Sequence, residues 1–352
     1  MKTNDIIMTL DAGGTNLVFS ALSEGEEIVQ PITLPSAKDN LERCLEIIRC
    51  GFEAVRDQLP THPAAISFAF PGPADYESGI IGGNLPNLTA FRNGVPLGPY
   101  LREHFGVPVF INNDGNLFAY GEALAGILPE INSALEASGN PKRYRNLIGL
   151  TFGTGFGGGI VIDRRLLVGD NQVGGYLWCQ YNKLHPELIA EESVSIRGVC
   201  HAYATISGDN KPFTPKEIFE IAEGQREGDR TAALSAFEEL GVVAGSVLAS
   251  ALLLIDGIAV IGGGLSGASK YIFPSLMGEL RASTGMRDGT CFNRLAVPAF
   301  NLENEEERRA FLQSENSFLK AGKTGVALSH LGTSRAIALG AYWFARERLA
   351  LK

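Results

Sequence analysis

Short apolar runs and longer amphipathic stretches alternate along the whole chain. Apolar runs bounded by glycine, proline or charged residues predict strands, at residues 6–11, 17–22, 28–33, 65–70, 108–112, 147–153, 159–163 and 257–261. Apolar positions that recur every three or four residues predict helices, at residues 38–58, 114–124, 129–146, 193–206, 215–223, 229–255, 268–283, 304–313 and 335–349. Apart from 304–313, the stretch 284–330 is polar and is predicted to be irregular. This alternation predicts an α/β protein.

Two glycine-rich turns each lie between two predicted strands, one in each half of the chain. Their sequences are Asp11-Ala12-Gly13-Gly14-Thr15-Asn16 and Gly153-Thr154-Gly155-Phe156-Gly157-Gly158-Gly159. Backbone amides of such turns can bind an anion, so the pair suggests two loops around one polyphosphate. An isolated glycine turn more often only supplies a positive φ angle. Here a ligand is favoured by Asp11 at the end of an apolar strand, and by five glycines where a hairpin needs one or two.

Three further segments place polar or glycine residues directly after an apolar strand. They are Phe68-Ala69-Phe70-Pro71-Gly72-Pro73-Ala74-Asp75 followed by Asn84-Leu85-Pro86-Asn87-Leu88, then Val109-Phe110-Ile111-Asn112-Asn113-Asp114-Gly115-Asn116, and Ala259-Val260-Ile261-Gly262-Gly263-Gly264-Leu265-Ser266. Ligands of open α/β sheets bind at the carboxyl ends of strands. The simpler interpretation is a plain turn for the first segment, an Asn/Asp helix cap for the second and a helix-capping turn for the third. A cap needs one polar residue, whereas the second segment offers four within five positions.

The composition narrows the possible partners. At 352 residues the chain is expected to form two domains, and 45% apolar and 20% charged residues are ordinary for a soluble globular protein. A net charge of −9 without a block of lysine or arginine argues against nucleic acid or an anionic membrane surface as a partner. Five cysteines without C-x-x-C spacing predict reduced thiols of a cytoplasmic protein. We expect no signal peptide, and the apolar stretch 240–255 is shorter than the about 20 residues of a membrane span, so it predicts a core helix.

These segments, in this order, resemble the ROK family (repressors, open reading frames, kinases) of the sugar-kinase and actin-like ATPase superfamily. Besides the two glycine turns, the resemblance rests on Pro71-Gly72-Pro73 with Pro86-Asn87-Leu88, Asn113-Asp114 through Gly121-Glu122, Gly262-Gly263-Gly264, and Gly340-Ala341. It covers nearly the whole chain and implies a two-lobed actin-like ATPase (ribonuclease H-like) fold, with ATP and sugar in the cleft between lobes. We expect one lobe to comprise residues 1–118 plus 331–352. The other would comprise residues 119–330, with a polar insert at 284–330.

The resemblance implies an ATP-dependent kinase that transfers the γ-phosphoryl group to a hydroxyl of a hexose, glucose or a related sugar. Asp114 would be the general base, and Asp11 would hold Mg²⁺ directly or through water. The residues expected to contact the sugar are Gly72, Asn87, Asn113, Asp114, Gln172, Gly175 and Glu191. The residues expected to bind the nucleotide are Asp11, Gly13, Gly14, Thr15, Asn16, Thr154, Gly155, Gly157, Gly158, Gly262, Gly263 and Gly264. A homodimer is expected as well.

The chain departs from the family pattern on the sugar side. Where the family usually has Gly-Glu-x-Gly-His, Gln172 replaces the glutamate and Gly175 the histidine. Because a glutamine amide can both donate and accept hydrogen bonds, we expect sugar selectivity to be shifted. The family's Glu-x-x-x-Ser motif matches Glu191 to Ser195, although Glu192 leaves the register open by one residue.

The zinc-binding cysteine cluster of the family, C-x-C-G-x-x-G-C, is also missing. Only Cys179 stands there, with His185 six residues on. Two scattered ligands do not make a tetrahedral site. The sequence therefore predicts no structural zinc.

Two other functions stay open at this point. One is a DNA-binding repressor of the same family, but the ten residues before Asp11 leave no room for a winged helix-turn-helix and the net charge is unsuited. The other is a sugar-binding or regulatory protein with weak activity, or a kinase of a non-standard acceptor. ATP turnover that depends on an added hexose would distinguish the kinase from both.

Overall fold

The computed structural model describes residues 5–12, 16–37, 39–72, 74–83, 89–314 and 322–351. Four residues expected to bind ligands lie outside the described residues: Gly13, Gly14, Thr15 and Asn87.

The described residues form alternating strands and helices, which confirms the predicted α/β class. The strands are β1 (Ile7–Ala12), β2 (Asn16–Ser23), β3 (Glu26–Glu27), β4 (Ile32–Pro35), β5 (Ala65–Ala69), β6 (Ala74–Asp75), β7 (Ile80–Ile81), β8 (Val109–Asn112), β9 (Leu147–Phe152), β10 (Phe156–Ile162), β11 (Arg165–Leu166), β12 (Ile258–Gly262), β13 (Ser283–Gly285), β14 (Cys291–Asn293), β15 (Ala299–Asn301) and β16 (Thr324–Leu328). The helices are α1 (Leu41–Arg56), α2 (Leu97–Phe105), α3 (Asp114–Leu124), α4 (Ile127–Ala137), α5 (Ile196–Ser207), α6 (Pro215–Ala222), α7 (Arg230–Ile255), α8 (Ser269–Leu280), α9 (Glu305–Leu312) and α10 (Thr333–Ala350).

The chain divides into two compact units. Unit 1 comprises residues 1–125, 168–173 and 334–352, and unit 2 comprises residues 126–167 and 174–333. The sheet of unit 1 has the strand order β3-β2-β1-β5-β8, with β4 paired to β2. In it β1 and β2 form an antiparallel hairpin, while β1, β5 and β8 run parallel. Its core is an apolar cluster that includes Phe19, Phe52 and Phe68.

Unit 2 repeats this strand pattern. Its sheet has the order β11-β10-β9-β12-β16-β15, with β9 and β10 antiparallel and β9, β12, β16 and β15 parallel. Each unit therefore has the hairpin that its glycine turn predicted, and further strands run parallel to the first strand of that hairpin.

Helix α7 forms the centre of the unit 2 core. It is long and apolar enough to cross a membrane by length and composition, but more than half of its most apolar window is buried in the protein. Along α7, glycines make this packing close: a Cβ at Gly241 would lie 2.4 Å from the Ile272 carbonyl oxygen on α8. The predicted core helix at 240–255 is thus found as such.

Some elements were mispredicted. Helix α2 was missed, because it begins after Pro96 without a side-chain cap and only its end carries a signal, the left-handed Gly106. The stretch 284–330 is not irregular throughout. Its residues 324–328 form β16, a buried strand between β12 and β15, so the supposed insert contributes to the main sheet. A five-residue strand that contains a glycine is too short to show a period of two.

Two glycines let α3 and α10 cross at close range in unit 1. A Cβ at Gly121 would lie 1.9 Å from the Ala336 carbonyl oxygen, and one at Gly340 would lie 1.9 Å from the Leu117 carbonyl oxygen. No side chain fits at that distance, so α10 is packed directly on the helix that begins at Asp114.

Candidate active site

Three polar segments meet at one edge of the unit 1 sheet. Asp11 is the last residue but one of β1, Gly72 follows β5, and Asn113 follows β8. These strands are parallel neighbours, so their carboxyl ends lie together. The register aligns Ala69 with Asn112, and the Phe70 amide donates to the Asn112 carbonyl oxygen at 3.0 Å. The edge therefore gathers the residues predicted to bind metal, sugar and the transferred proton.

Asn113 is the N-cap of α3. Its Oδ1 accepts a hydrogen bond from the Gly115 amide at 2.9 Å. Asp114 is the first helical residue, and its Oδ1 accepts from the same amide at 2.9 Å. Because the cap position is already filled by Asn113, capping does not account for the carboxylate at Asp114.

The surroundings of the Asp114 carboxyl make it bind a proton more readily than a free aspartate does. Asp114 is exposed on its open side, but many protein atoms lie close to its carboxyl group, and the resulting loss of solvation raises its pKa above the ordinary aspartate value. Hydrogen bonds from the amides of Gly115 and Asp114 oppose the shift, while the nearby Asp11 charge adds to it. A carboxylate of raised pKa is a stronger base than a free aspartate, as a proton acceptor should be.

Tyr76 lies among the residues of the candidate site, although the sequence did not predict it. Its buried hydroxyl donates to the Phe70 carbonyl oxygen at 2.9 Å, and the Asn113 Nδ2 approaches that hydroxyl at 3.5 Å. A Cβ at Gly72 would lie 2.7 Å from the same hydroxyl. Tyr76 thus connects the Gly72 loop to Asn113, and Gly72 is required for the closeness of this contact. No motif in the sequence marks a tyrosine at this position.

Gln172 has a left-handed backbone with φ of 59°, and its side chain contacts the turn after β6. Its Nε2 donates to Asp75 Oδ1 at 3.2 Å, and its Oε1 accepts from the Glu77 amide at 3.1 Å. Gly175 also has a positive φ, 82°, and its carbonyl oxygen lies 3.1 Å from where a Gly158 Cβ would stand. The side chain of Gln172 therefore has hydrogen-bond partners within unit 1, and Gly175 packs against β10 within unit 2.

The second of the two glycine turns, which lies in unit 2, is shorter than predicted. Only residues 153–155 make the turn, while Gly157 and Gly158 lie in β10, paired with Thr151 and Leu150 of β9. The Gly153 amide donates to the Gly155 carbonyl oxygen at 3.1 Å, and Thr154 is exposed at the tip. A Cβ at Gly158 would lie 3.1 Å from the Gly175 carbonyl oxygen and 3.2 Å from the Leu177 side chain, so this glycine allows close packing against β10.

Glu191 is the glutamate that contacts this turn. Its Oε2 accepts from the Phe156 amide at 2.9 Å, and a Cβ at Gly155 would lie 2.6 Å from the same oxygen. Arg197 donates to Glu191 Oε1 at 2.7 Å and also pairs with Glu192. Ser195 donates to the Glu191 carbonyl oxygen at 2.7 Å. Position 191, rather than 192, is therefore the one at the glycine turn.

The three glycines after β12 lie beside the second turn. Gly262 pairs with Thr151 of β9, and a Cβ at Gly263 would lie 2.3 Å from the Phe152 carbonyl oxygen. Gly263 has φ of 89°, and its amide donates to Thr333 Oγ1 at 2.8 Å. Gly264 is exposed, with no atom within 4 Å of its Cβ position. Gly263 is thus needed for packing, whereas Gly264 leaves open space of the kind a planar ring requires.

Within the described ranges, no group of three histidine, cysteine, aspartate or glutamate side chains could hold a metal ion. All five cysteines are free thiols. Asp11 is half-buried and lies close enough to Asp114 for its charge to raise the pKa of Asp114. Its carboxylate is an oxygen donor of the type that Mg²⁺ prefers.

Comparison with known proteins shows the family and the fold of this chain. The ROK family profile matches residues 7–283. A crystal structure of a glucokinase from Parabacteroides distasonis is 55% identical, with a TM-score of 0.87 and 98% of each chain covered. The glucokinase of Thermotoga maritima is 26% identical over 290 residues, 77% of this chain and 85% of that protein. A ROK family glucokinase from Streptomyces griseus, in complex with glucose and AMPPNP, has a TM-score of 0.60 at 19% identity over 96% of this chain and 98% of that one. The predicted fold of the actin-like ATPase superfamily is thereby confirmed.

Proposed function

The chain belongs to the ROK family, and we propose that it is an ATP-dependent sugar kinase that phosphorylates a hydroxyl of a hexose with Asp114 as general base. The observation that carries this proposal is the position of Asp114, two residues after the end of β8 at the edge where the parallel strands β1 and β5 also end, and the raised pKa of its carboxyl agrees with a proton acceptor. The 55% identity to a glucokinase over 98% of the chain supports the substrate class.

In the proposed mechanism, Asp114 and Asn113 hold and activate the sugar. Asp114 would accept the proton of the attacking hydroxyl, and Asn113, braced by Tyr76, would orient the ring. The side chains of Gln172 and Glu191 already have partners, so sugar contacts there would be made in addition to the Asp75 and Phe156 contacts. Positioning of the reacting groups supplies much of the rate enhancement in phosphoryl transfer.

The glycine turns would hold the phosphates. Backbone amides around Thr154 and Gly155 can donate to phosphate oxygens without a basic side chain, which suits a chain of net charge −9. Gly262 to Gly264 would accommodate the adenosine. A bound Mg²⁺ would neutralise phosphate charge, and Asp11 is the residue that would hold it.

Removal of divalent cations should abolish activity. We expect EDTA to stop ATP turnover and added Mg²⁺ or Mn²⁺ to restore it, because oxygen donors such as Asp11 select hard cations. Elemental analysis of the purified protein should find no stoichiometric zinc. About one tightly held Zn²⁺ per chain would show that the missing cysteine cluster was misinterpreted.

Gly264→Ala should weaken ATP binding without weakening the fold. The methyl group would enter open space, so stability should change little, while KM for ATP should rise about three- to tenfold, or roughly 1 kcal/mol. Gly263→Ala is the matched control: its Cβ would meet the Phe152 backbone and its φ is positive, so it should lower stability. An unchanged KM for ATP in a stable Gly264→Ala would remove this position from the nucleotide site. Michaelis kinetics and thermal unfolding measure both effects.

The pH dependence of kcat should reflect Asp114. The base must be unprotonated to act, and its pKa lies above the ordinary aspartate value of about 3.9. As the pH is lowered, kcat should therefore begin to fall at a higher pH than a free aspartate would cause. The residual activity of Asp114→Asn should lack this acidic limb. If the limb persists in the variant, it belongs to another group.

The substrate itself is identified by a panel of hexoses, amino sugars and N-acetylated sugars, with coupled detection of ADP. We expect ATP turnover to depend on at least one hexose of the panel. ATP hydrolysis that no sugar stimulates, together with tight sugar binding by calorimetry, would favour a sugar-binding regulatory protein instead.

We also propose a cytoplasmic homodimer that binds neither nucleic acid nor membrane. Five free cysteines and the net charge of −9 support the location and the excluded partners. Light scattering coupled to size-exclusion chromatography measures the oligomeric state.

A further inference from the structure

The segment 168–173 clusters with unit 1, although the residues on either side of it belong to unit 2. Within it, Gln172 adopts a left-handed backbone conformation that is unfavourable for a residue with a Cβ atom. The backbone N–H of Gln172 also donates to the Gly169 carbonyl oxygen at 3.3 Å, and this hydrogen bond closes a turn. Such a conformation persists where surrounding contacts hold it.

The side chain of Gln172 supplies those contacts. It bridges two groups of the β6–β7 hairpin, the Asp75 carboxylate at 3.2 Å and the Glu77 backbone amide at 3.1 Å. The same Oδ1 of Asp75 also accepts from the Ser78 backbone amide at 3.1 Å. The turn of the β6–β7 hairpin and the segment 168–173 therefore donate to one oxygen atom.

The chemistry of this bridge requires a neutral amide. An ionised carboxylate such as Asp75 only accepts hydrogen bonds, and the Glu77 amide only donates. Hydrogen bonds from Ser78, and then from Gln172, lower the pKa of Asp75, so it is charged at neutral pH. A glutamate at position 172 would place a second carboxylate against Asp75, whereas a lysine or arginine could not accept from Glu77.

We infer that Gln172 is a positioning residue that fastens the segment 168–173 to the β6–β7 hairpin, and that Asp75 is the reason the residue must be an amide rather than a carboxylate. Asp75 is three residues beyond Gly72, and Gly175 is three residues beyond Gln172. Gly72 and Gly175 are among the residues that the family resemblance implies at the sugar, so the bridge joins two segments that each lie next to such a residue. The kinetic consequence of the bridge therefore rests on the proposed function.

A double-variant cycle tests the bridge. Gln172→Glu should raise KM for the sugar about three- to tenfold with a smaller change in kcat, because like charges face each other at hydrogen-bond distance. Asp75→Asn alone should stay near the parent, since Ser78 and Gln172 can still donate to the oxygen of the introduced amide. Combining Asp75→Asn with Gln172→Glu should restore most of the loss, because the amide introduced at position 75 can donate to the new carboxylate.

Gln172→Ala is the matched control. It removes the bridge without adding a charge, so it should also raise KM for the sugar, but Asp75→Asn should not rescue it. Hydrogen exchange gives a readout that does not need catalysis. The Glu77 amide should exchange faster in Gln172→Glu and Gln172→Ala, and should regain protection only in the Asp75→Asn/Gln172→Glu double variant.

The outcomes are separable from those of the proposed function. Parental exchange at Glu77 in Gln172→Glu, or a double variant no better than the single one, overturns the positioning role. If no sugar is phosphorylated by the parent, the kinase proposal fails, while hydrogen exchange still decides whether the bridge exists.

Discussion

Asp114→Asn is expected to lower kcat by about 10²- to 10⁴-fold, the usual cost of losing a general base. Asparagine keeps the size of the side chain and can still accept from the Gly115 amide, but it cannot take a proton. Sugar affinity should fall much less, because Asn113 and its Tyr76 contact remain. Single-turnover kinetics and calorimetric sugar binding measure the two quantities separately.

The same substitution should not cost stability. A carboxyl whose pKa is raised in the folded state binds protons more tightly there than in the unfolded chain, so its contribution to stability falls as the pH rises through that range. We therefore expect the Asp114 charge to lower the stability of the fold at neutral pH. We expect the thermal unfolding temperature of Asp114→Asn to equal or exceed that of the parent.

Asp229→Asn is the matched control for this loss of a carboxylate. Asp229 is the N-cap of α7 and accepts from the Ala232 amide at 3.0 Å, a role that asparagine fills about equally well. The activity of Asp229→Asn should equal that of the parent. If Asp114→Asn also turns over ATP and sugar within a few-fold of the parent, Asp114 is structural and the mechanism proposed above is wrong.

Gly340→Ala is expected to destabilise unit 1 by about 3 kcal/mol or more, because overpacking a tight contact forces the backbone to move. The new Cβ would lie 1.9 Å from the Leu117 carbonyl oxygen, and backbone atoms cannot rotate away as a side chain can. Leu117 lies on α3, three residues after Asp114, so any folded variant should also lose activity. Urea denaturation and kcat measure the two effects.

Gly278→Ala controls for the change from glycine to alanine within a helix. Gly278 lies in α8 with no atom within 4 Å of its Cβ position, so alanine should be neutral or stabilise by roughly 0.5–1 kcal/mol. A Gly340→Ala variant as stable as the parent would mean that α3 and α10 do not cross at the distance described.

Much of the candidate site could be predicted from the sequence, because its residues lie at or after the ends of strands. Asp11, Gly72 and Asn113 lie at or shortly after the ends of three apolar runs, and parallel strands bring such ends together. Tyr76 could not be predicted, since its function depends on a hydroxyl that reaches a carbonyl oxygen six residues back. The register of Glu191 against Glu192 was open for a similar reason. Two adjacent glutamates look alike in a sequence, and only the position of the Phe156 amide distinguishes them.

The α/β class, the two hairpins and most helices follow from the amino-acid sequence alone, because they depend on the local period of apolar residues and on glycine at turns. Features that depend on distant partners arise only when the chain folds. β16 is a strand because β12 and β15 pair with it, although its own five residues carry no strand signal. The side chain of Gln172 is engaged because Asp75 and Glu77, nearly a hundred residues away in the chain, present one acceptor and one donor to it. The raised pKa of Asp114 likewise arises from the protein atoms packed around it and from Asp11, and only folding brings these together.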